Sequence, residues 1–192
     1  RKYVRKVPHG GTVVANWQDP AVRKVVHSIP ARVVRYNQRA FPRHPLRIPG
    51  MHNQVNAEAA WQTARLFGVK RQTANAVFRS YQGAWRRLER LKVRSQKFKV
   101  RSILYTDYAH HPTEIKATLQ ALREQYPKRP IVVVFQPHHA DRLARLFKEF
   151  QTAFRGADQT IILPAYRVAG WEQGTPRKAP RRPWSPRRCR AE

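Results

Sequence analysis

The chain has 192 residues, 41% of them hydrophobic, which is enough to bury a core and excludes disorder throughout. Its 39 Lys and Arg against 11 Asp and Glu leave a net charge of +28, which favours polyanionic partners and carries no information about fold. Cys189, the one cysteine, excludes an intramolecular disulfide framework and a multi-cysteine zinc site, and no apolar run approaches the roughly 20 residues that span a bilayer, so the expectation is a soluble, cytoplasmic chain without a membrane span.

In chain order, residues 12–15 and 32–36 are Val-rich and predict short strands, with Asp19-Pro20 opening a helix between them. Residues 41–49 hold three prolines and predict a connection. Residues 53–67 predict a helix capped by Asn53 and stopped by Gly68, and residues 73–81 a second helix ending at Gly83.

A second block follows a junction around residues 91–99. It predicts strands at 100–105, 131–135 and 160–163 and helices at 113–125 and 141–154, the last from the stripe Leu143, Leu146, Phe147, Phe150 and Phe154. Alternating strands and helices with short links predict an α/β fold with a parallel sheet. The terminal segment interleaves Arg177, Arg181, Arg182, Arg187, Arg188 and Arg190 with four prolines and predicts a disordered basic tail. The expected organisation is therefore residues 1–91, 92–169 and a tail at 170–192. Residue 1 is Arg and the one methionine is Met51, so the expectation is a start that was removed or a piece of a longer chain.

In an open parallel sheet, ligands bind beyond the carboxyl ends of the strands, where helix N-termini also point. The first strand of the second block runs into Asp107-Tyr108-Ala109-His110-His111-Pro112 and the next into Gln136-Pro137-His138-His139, so four of the eight histidines meet Asp107 at one crevice, with Tyr166 after the third strand. Solvated loop polarity, a zinc or other transition-metal site, and anion or nucleotide recognition are the three readings of that cluster. A second polar cluster is Gly50-Met51-His52-Asn53 with Asn56, whose amide can read a base edge. A third is Arg86-Arg87 with Glu89, either a charged surface or a phosphate clamp.

These residues carry a resemblance. The stretch Asp107-Tyr108-Ala109-His110-His111-Pro112-Thr113-Glu114-Ile115 resembles a hallmark of the Mur ligase family. The segments Gly50-x-His52-Asn53-x-x-Asn56-Ala57, Gly83-x-x-Arg86-Arg87-x-Glu89 and Val134-Phe135-Gln136-Pro137-His138 are similar to the family in the same order, and Gly11 to Asn16 with Asp19-Pro20 resembles the later part of its central domain. The resemblance runs from about Gly10 to Val168 and implies a partial central ATPase-type α/β domain followed by a Rossmann-like C-terminal domain.

The activity it implies is ATP-dependent amide-bond formation in peptidoglycan precursor synthesis with ATP and Mg2+, joining L-alanine to UDP-N-acetylmuramate, while a close relative that shares the same stretch joins a preformed peptide and leaves the amino substrate open between the two. By position, the family's adenine contact falls on Asn56, helped by His52 and Asn53. Arg87 falls beside the ATP phosphates and Asp107 at the ribose, while Tyr108, His110 and Arg142 line the amino-acid end. Arg87 and His110 are the catalytic candidates. Two positions depart from the family pattern: Thr106 precedes Asp107 where a second Asp is common, and His139-Ala140-Asp141-Arg142 stands where the family shows Arg-Tyr-x-Arg, so His139 takes the place of one Arg. No Gly-x-x-x-x-Gly-Lys-Ser/Thr phosphate loop occurs in the chain, and neither the acidic Mg2+ ligands nor a UDP-sugar domain is found, so the chain alone is expected not to turn over ATP. The other reading is a non-catalytic, ligase-derived basic domain that binds RNA or another polyanion, with nonspecific nucleic-acid binding placed on the basic tail.

Overall fold

A computed structural model describes residues 4–37, 43–91, 102–138 and 140–165. The chain divides into two compact units, Arg1–Gly83 and Ala84–Glu192. The division falls ahead of the boundary expected at residue 91, because Glu89–Leu91 pairs with Leu104–Thr106 of the second unit. The tail expected at 170–192 lies outside the described residues, as do the junction residues 92–99, His139 and Tyr166. No described helix is long and apolar enough to cross a membrane.

The first unit opens with β1 (Thr12–Asn16), α1 (Pro20–Val26) and β2 (Arg32–Tyr36), the two strands parallel and in register from Thr12 opposite Arg32 to Asn16 opposite Tyr36. Asp19 starts α1 as its sequence predicts: one carboxylate oxygen accepts from the backbone N–H groups of Ala21 at 2.7 Å and Val22 at 3.2 Å, while Pro20 occupies the first turn, where no N–H is missed. Next come α2 (Met51–Ala64) and α3 (Arg71–Ser80). The start of α2 corrects the expected Asn53 cap, since Gly50 is the capping residue with φ 99° and Asn53 lies inside the helix, its side-chain amide donating to the Pro49 carbonyl at 2.7 Å. Gly68 does end the segment, in the left-handed conformation with φ 77° after a 3-10 turn at Arg65–Phe67. Ala57, Ala74 and Phe78 form the buried cluster between α2 and α3, with Leu46 and Trp61 against it.

The second unit contains β3 (Glu89–Leu91), β4 (Leu104–Thr106), α4 (Pro112–Gln125), β5 (Val132–Phe135), α5 (Ala140–Arg145), α6 (Phe147–Ala153) and β6 (Gln159–Ile162). Strands β5 and β6 pair in parallel, as alternating elements require, with Val134 opposite Ile161. Among the described residues β4 pairs with β3, antiparallel, so the parallel pairing expected of the three strands at 100–105, 131–135 and 160–163 is seen between the last two. A cavity of about 760 Å³ has Leu104 and Tyr105 on its wall together with Val132 to Phe135 of β5. The apolar stripe at 143–154 is core as read, with Phe150 and Phe154 buried beside Ile115, Leu119 and Ile131 and with Leu143 and Leu146 packed against them. It forms two helices, not one. Leu146, at φ −110° and ψ 26°, interrupts the helical path, and the break separates α5 from α6. Each large side chain buried in that cluster contributes about 1.5–3 kcal/mol, so the core holds α4 and α6 together and leaves the loops after β4 and β5 to carry chemistry.

Candidate functional site

The second unit gathers its polar residues where β4 ends. Arg86 and Leu88, at φ 52° and 48°, are non-glycine residues in left-handed conformations on either side of Arg87. Each costs about 1–3 kcal/mol and persists only if its surroundings over-determine it. They do. The Arg86 N–H donates to Glu89 at 2.9 Å, the Arg86 carbonyl accepts from the Tyr108 N–H at 2.7 Å, the Arg87 N–H donates to the Ala84 carbonyl at 3.0 Å, and the Leu88 N–H donates to Asp107 at 2.7 Å. The other Asp107 oxygen accepts from the Ala109 N–H at 2.6 Å. Asp107 therefore ties the Arg87 turn to the loop that carries Tyr108 and His110, and each of its oxygens keeps a second lone pair for a ligand hydroxyl.

The loop then turns into α4. His111 caps the helix by accepting from the Thr113 N–H at 3.3 Å through Nδ1, and Pro112 fills the first helical position. Glu114 completes a capping box: one carboxylate oxygen, Oε2, accepts from the backbone N–H groups of His110 at 2.9 Å and His111 at 3.2 Å. The same oxygen lies 3.4 Å from His110 Nδ1, and the other, Oε1, lies 3.8 Å from the Arg87 guanidinium. Burial pushes the Glu114 carboxyl up, but the His110 backbone N–H, the His110 ring, the His111 N–H and Arg87 outweigh it, and the net shift is down. His110 Nδ1 also lies 2.9 Å from the Tyr108 carbonyl, which can only accept, so Nδ1 is the donor in that contact. The Tyr108 ring stands between two histidines, edge-on to His110 at 5.1 Å and to His138 at 6.2 Å, with the Arg86 guanidinium 5.0 Å from its centroid.

Residues 86–182, half of the chain, match the family described as Mur ligase, glutamate ligase domain. The chain belongs to the Mur ligase family. The UDP-N-acetylmuramate–L-alanine ligase of Bdellovibrio bacteriovorus is 34% identical over 191 residues, covering 85% of this chain and 41% of that protein. The ligase of the same name from Desulfatibacillum aliphaticivorans is 40% identical over 134 residues, covering 69% of this chain and 28% of its own length. The chain thus spans about two-fifths or less of these Mur ligases. Among solved structures, the UDP-N-acetylmuramate–alanine ligase of Thermotoga maritima superposes at a TM-score of 0.52 with 28% identity, covering 63% of this chain and 26% of that one. A murein peptide ligase from Psychrobacter arcticus superposes at 0.57 with 20% identity over 83% of this chain and 38% of its own, a likeness of fold.

In this Mur ligase chain the four expected histidines separate. His110 and His138 flank Tyr108, His111 serves the helix cap, and His139 lies outside the described residues. Among the described residues no three His, Cys, Asp or Glu side chains are gathered where they could hold a metal ion, which leaves the transition-metal reading without a ligand set there. Arg142 sits half-buried in α5, and no hydrogen bond, ion pair or ring contact joins its side chain to Tyr108 or His110. In the first unit His52, Asn53 and Asn56 occupy the opening turns of α2, with Asn56 exposed.

Sequence reasoning passed over Glu114 as a site residue. Its signal was the acidic residue three positions after a helix cap, obscured because His is not among the usual capping residues.

Proposed function

We propose that this chain is the end of the central domain and the C-terminal domain of a cytoplasmic ligase that joins L-alanine to UDP-N-acetylmuramate with ATP. The observation that carries the reading is the knot of Asp107, Arg87, His110 and Glu114 at the end of β4, built on the residues through which the chain resembles the family. ATP supplies the phosphoryl group that makes a carboxylate reactive toward an amine. The protein's part in such a reaction is mainly to position charged groups and neutralise them.

Arg87 approaches phosphate: its turn is fixed at the backbone while its side chain is half exposed, so a guanidinium with several N–H donors faces solvent from a rigid base. Asp107 holds the ribose hydroxyls with the lone pairs its two backbone bonds leave over. Tyr108, His110, His139 and Arg142 serve the amino-acid substrate, with Arg142 available to pair with a carboxylate. In the first unit His52, Asn53 and Asn56 contact adenine. Mg2+ ligands are not supplied by any acidic cluster among the described residues, and no step is assigned to the ion here.

The test is ADP release from this polypeptide given ATP, Mg2+, UDP-N-acetylmuramate and L-alanine, beside equilibrium ADP binding. Saturable binding without steady turnover is the expected result, because the sequence has no Gly-Lys-Ser/Thr phosphate loop. Steady turnover would refute the need for further segments, and absence of saturable ADP binding would refute the site.

The charge of +28 favours a second reading, nonspecific polyanion binding, since a nucleotide site needs only a few placed cations. RNA affinity that falls steeply with salt and depends on residues 170–192 supports it; affinity unchanged by removing that segment rejects it.

A further inference from the structure

We infer that Glu114 is a positioning residue that sets the Arg87 guanidinium for an anionic phosphate ligand. The inference rests on the phosphate reading of the Arg87 turn. The two oxygens of Glu114 divide their work: Oε2 takes the backbone N–H groups of His110 and His111 and faces the His110 ring, while Oε1 faces Arg87 alone. The cap therefore anchors the carboxylate, and the carboxylate in turn biases the guanidinium.

Stability is a poor explanation for the second contact. The side chains of Arg87 and Glu114 are 50% and 35% exposed, and ion pairs in such surroundings add little to folding. At 3.8 Å the contact is also too long for a hydrogen bond, so the guanidinium N–H groups remain available to a ligand oxygen. A pair that holds an arginine by charge without consuming its donors restricts the side chain and leaves its recognition surface open. The backbone beneath it is already restricted, with φ 52° and 48° on either side of Arg87. Turn and carboxylate together reduce the freedom that a phosphate would otherwise have to remove on binding.

The sign of one substitution tests this. Glu114→Gln keeps an oxygen that can accept from the His110 and His111 N–H groups, because a capping box takes Gln as well as Glu, but it removes the charge that faces Arg87. If Glu114 were only a neighbouring anion, losing its charge would strengthen phosphate binding. Positioning demands the opposite: at physiological ionic strength ADP should bind Glu114→Gln about three- to tenfold more weakly than wild type, and in an Arg87→Gln background the same substitution should change affinity by less than about twofold. Thermal unfolding of Glu114→Gln should stay close to wild type, while Glu114→Ala, which also removes the cap, should unfold earlier. Equal or tighter ADP binding by Glu114→Gln, an undiminished effect without Arg87, or a Glu114→Gln protein that does not fold would each overturn the inference. Failure of the wild-type chain to bind ADP would instead remove the phosphate reading on which it rests.

Discussion

His44 and Glu58 meet at 2.8 Å with side chains 0% and 4% exposed, a buried pair that joins the connection before α2 to the helix itself. The grip extends along the helix: the Gln54 side chain accepts from the His44 backbone N–H at 2.7 Å and donates to the His44 carbonyl at 3.1 Å. On the far side of the ring, His44 Nδ1 lies 3.4 Å from the Arg71 guanidinium, and Phe78 of α3 packs edge-on at 4.9 Å. Because Arg71 can only donate, Nδ1 is the acceptor and Nε2 carries the proton toward Glu58. Replacing Glu58 with Ala removes the acceptor from a fully buried imidazole and leaves Arg71 beside it. That should cost about 1–3 kcal/mol, read as a lower denaturant midpoint for the first unit, with Glu58→Gln milder.

The same pair sets an acid limit. Burial pushes the His44 imidazole down, as Arg71 also does, against the opposing pull of Glu58. An unfolded His takes its proton near the usual value of about 6.5 and the folded one resists, so below that pH the unfolded state binds more protons. The contribution is therefore complete above about pH 6.5 and is lost as pH falls through the lower folded value. Denaturant unfolding between pH 5 and 7.5 should show stability rising with pH, and His44→Gln should flatten that slope; an unchanged slope would assign it to other groups.

Asp107 should matter to the Arg87 turn as much as to any ligand. Asp107→Ala strips the acceptors from the Leu88 and Ala109 N–H groups, each loss costing about 1–3 kcal/mol where the group is shielded from water. Hydrogen exchange at these two amides should accelerate in the variant while the amides of α4 beyond its first turn remain protected. Exchange rates equal to wild type would mean that the turn stands without the carboxylate.

Asp158 performs a related service at the start of β5. One of its oxygens accepts from the Ile131 N–H at 2.6 Å and from Arg123 at 2.7 Å, and the Arg123 guanidinium reaches the carbonyls of Arg129 and Gly156 as well. The Ile131 N–H, followed by Arg123, holds the Asp158 carboxyl below its ordinary value. A depressed acid stabilises above its unfolded pKa of about 3.9 and loses that contribution as pH falls through the folded value. The side chain is half exposed, so solvent screening limits the Arg123 pair, and Asp158→Asn should cost only about 1 kcal/mol at neutral pH. The gap in thermal midpoint between wild type and variant should narrow as pH falls below about 3.9; a gap that does not change with pH would contradict a charge-based role.

Gly68 offers a test of backbone strain separated from packing. A Cβ there meets nothing within 4 Å, yet φ is 77°. Gly68→Ala should therefore destabilise the first unit by about 1 kcal/mol through conformation alone, and Gly68→Asn by less, measured by denaturant unfolding. A neutral Gly68→Ala would show that the end of the segment after α2 can relax.

Features whose causes lie within a few residues were legible in the chain before any fold was known. Asp19-Pro20 starts a helix because cap and first turn are adjacent, Gly68 ends one because only its own φ is at stake, and the spacing of Phe150 and Phe154 places both on one buried face. The family motifs were legible for the same reason, being short and continuous. Relationships between distant positions came from packing. It joined Asp107 to Leu88, Glu114 to Arg87 and His44 to both Glu58 and Arg71, and it gave β4 an antiparallel partner in β3. It also broke the apolar stripe at Leu146, where periodicity alone predicted a continuous helix. No local pattern specifies such pairings, because a carboxylate has the same propensity whether it caps its own helix or faces an arginine from another segment, and only packing brings the second partner within reach.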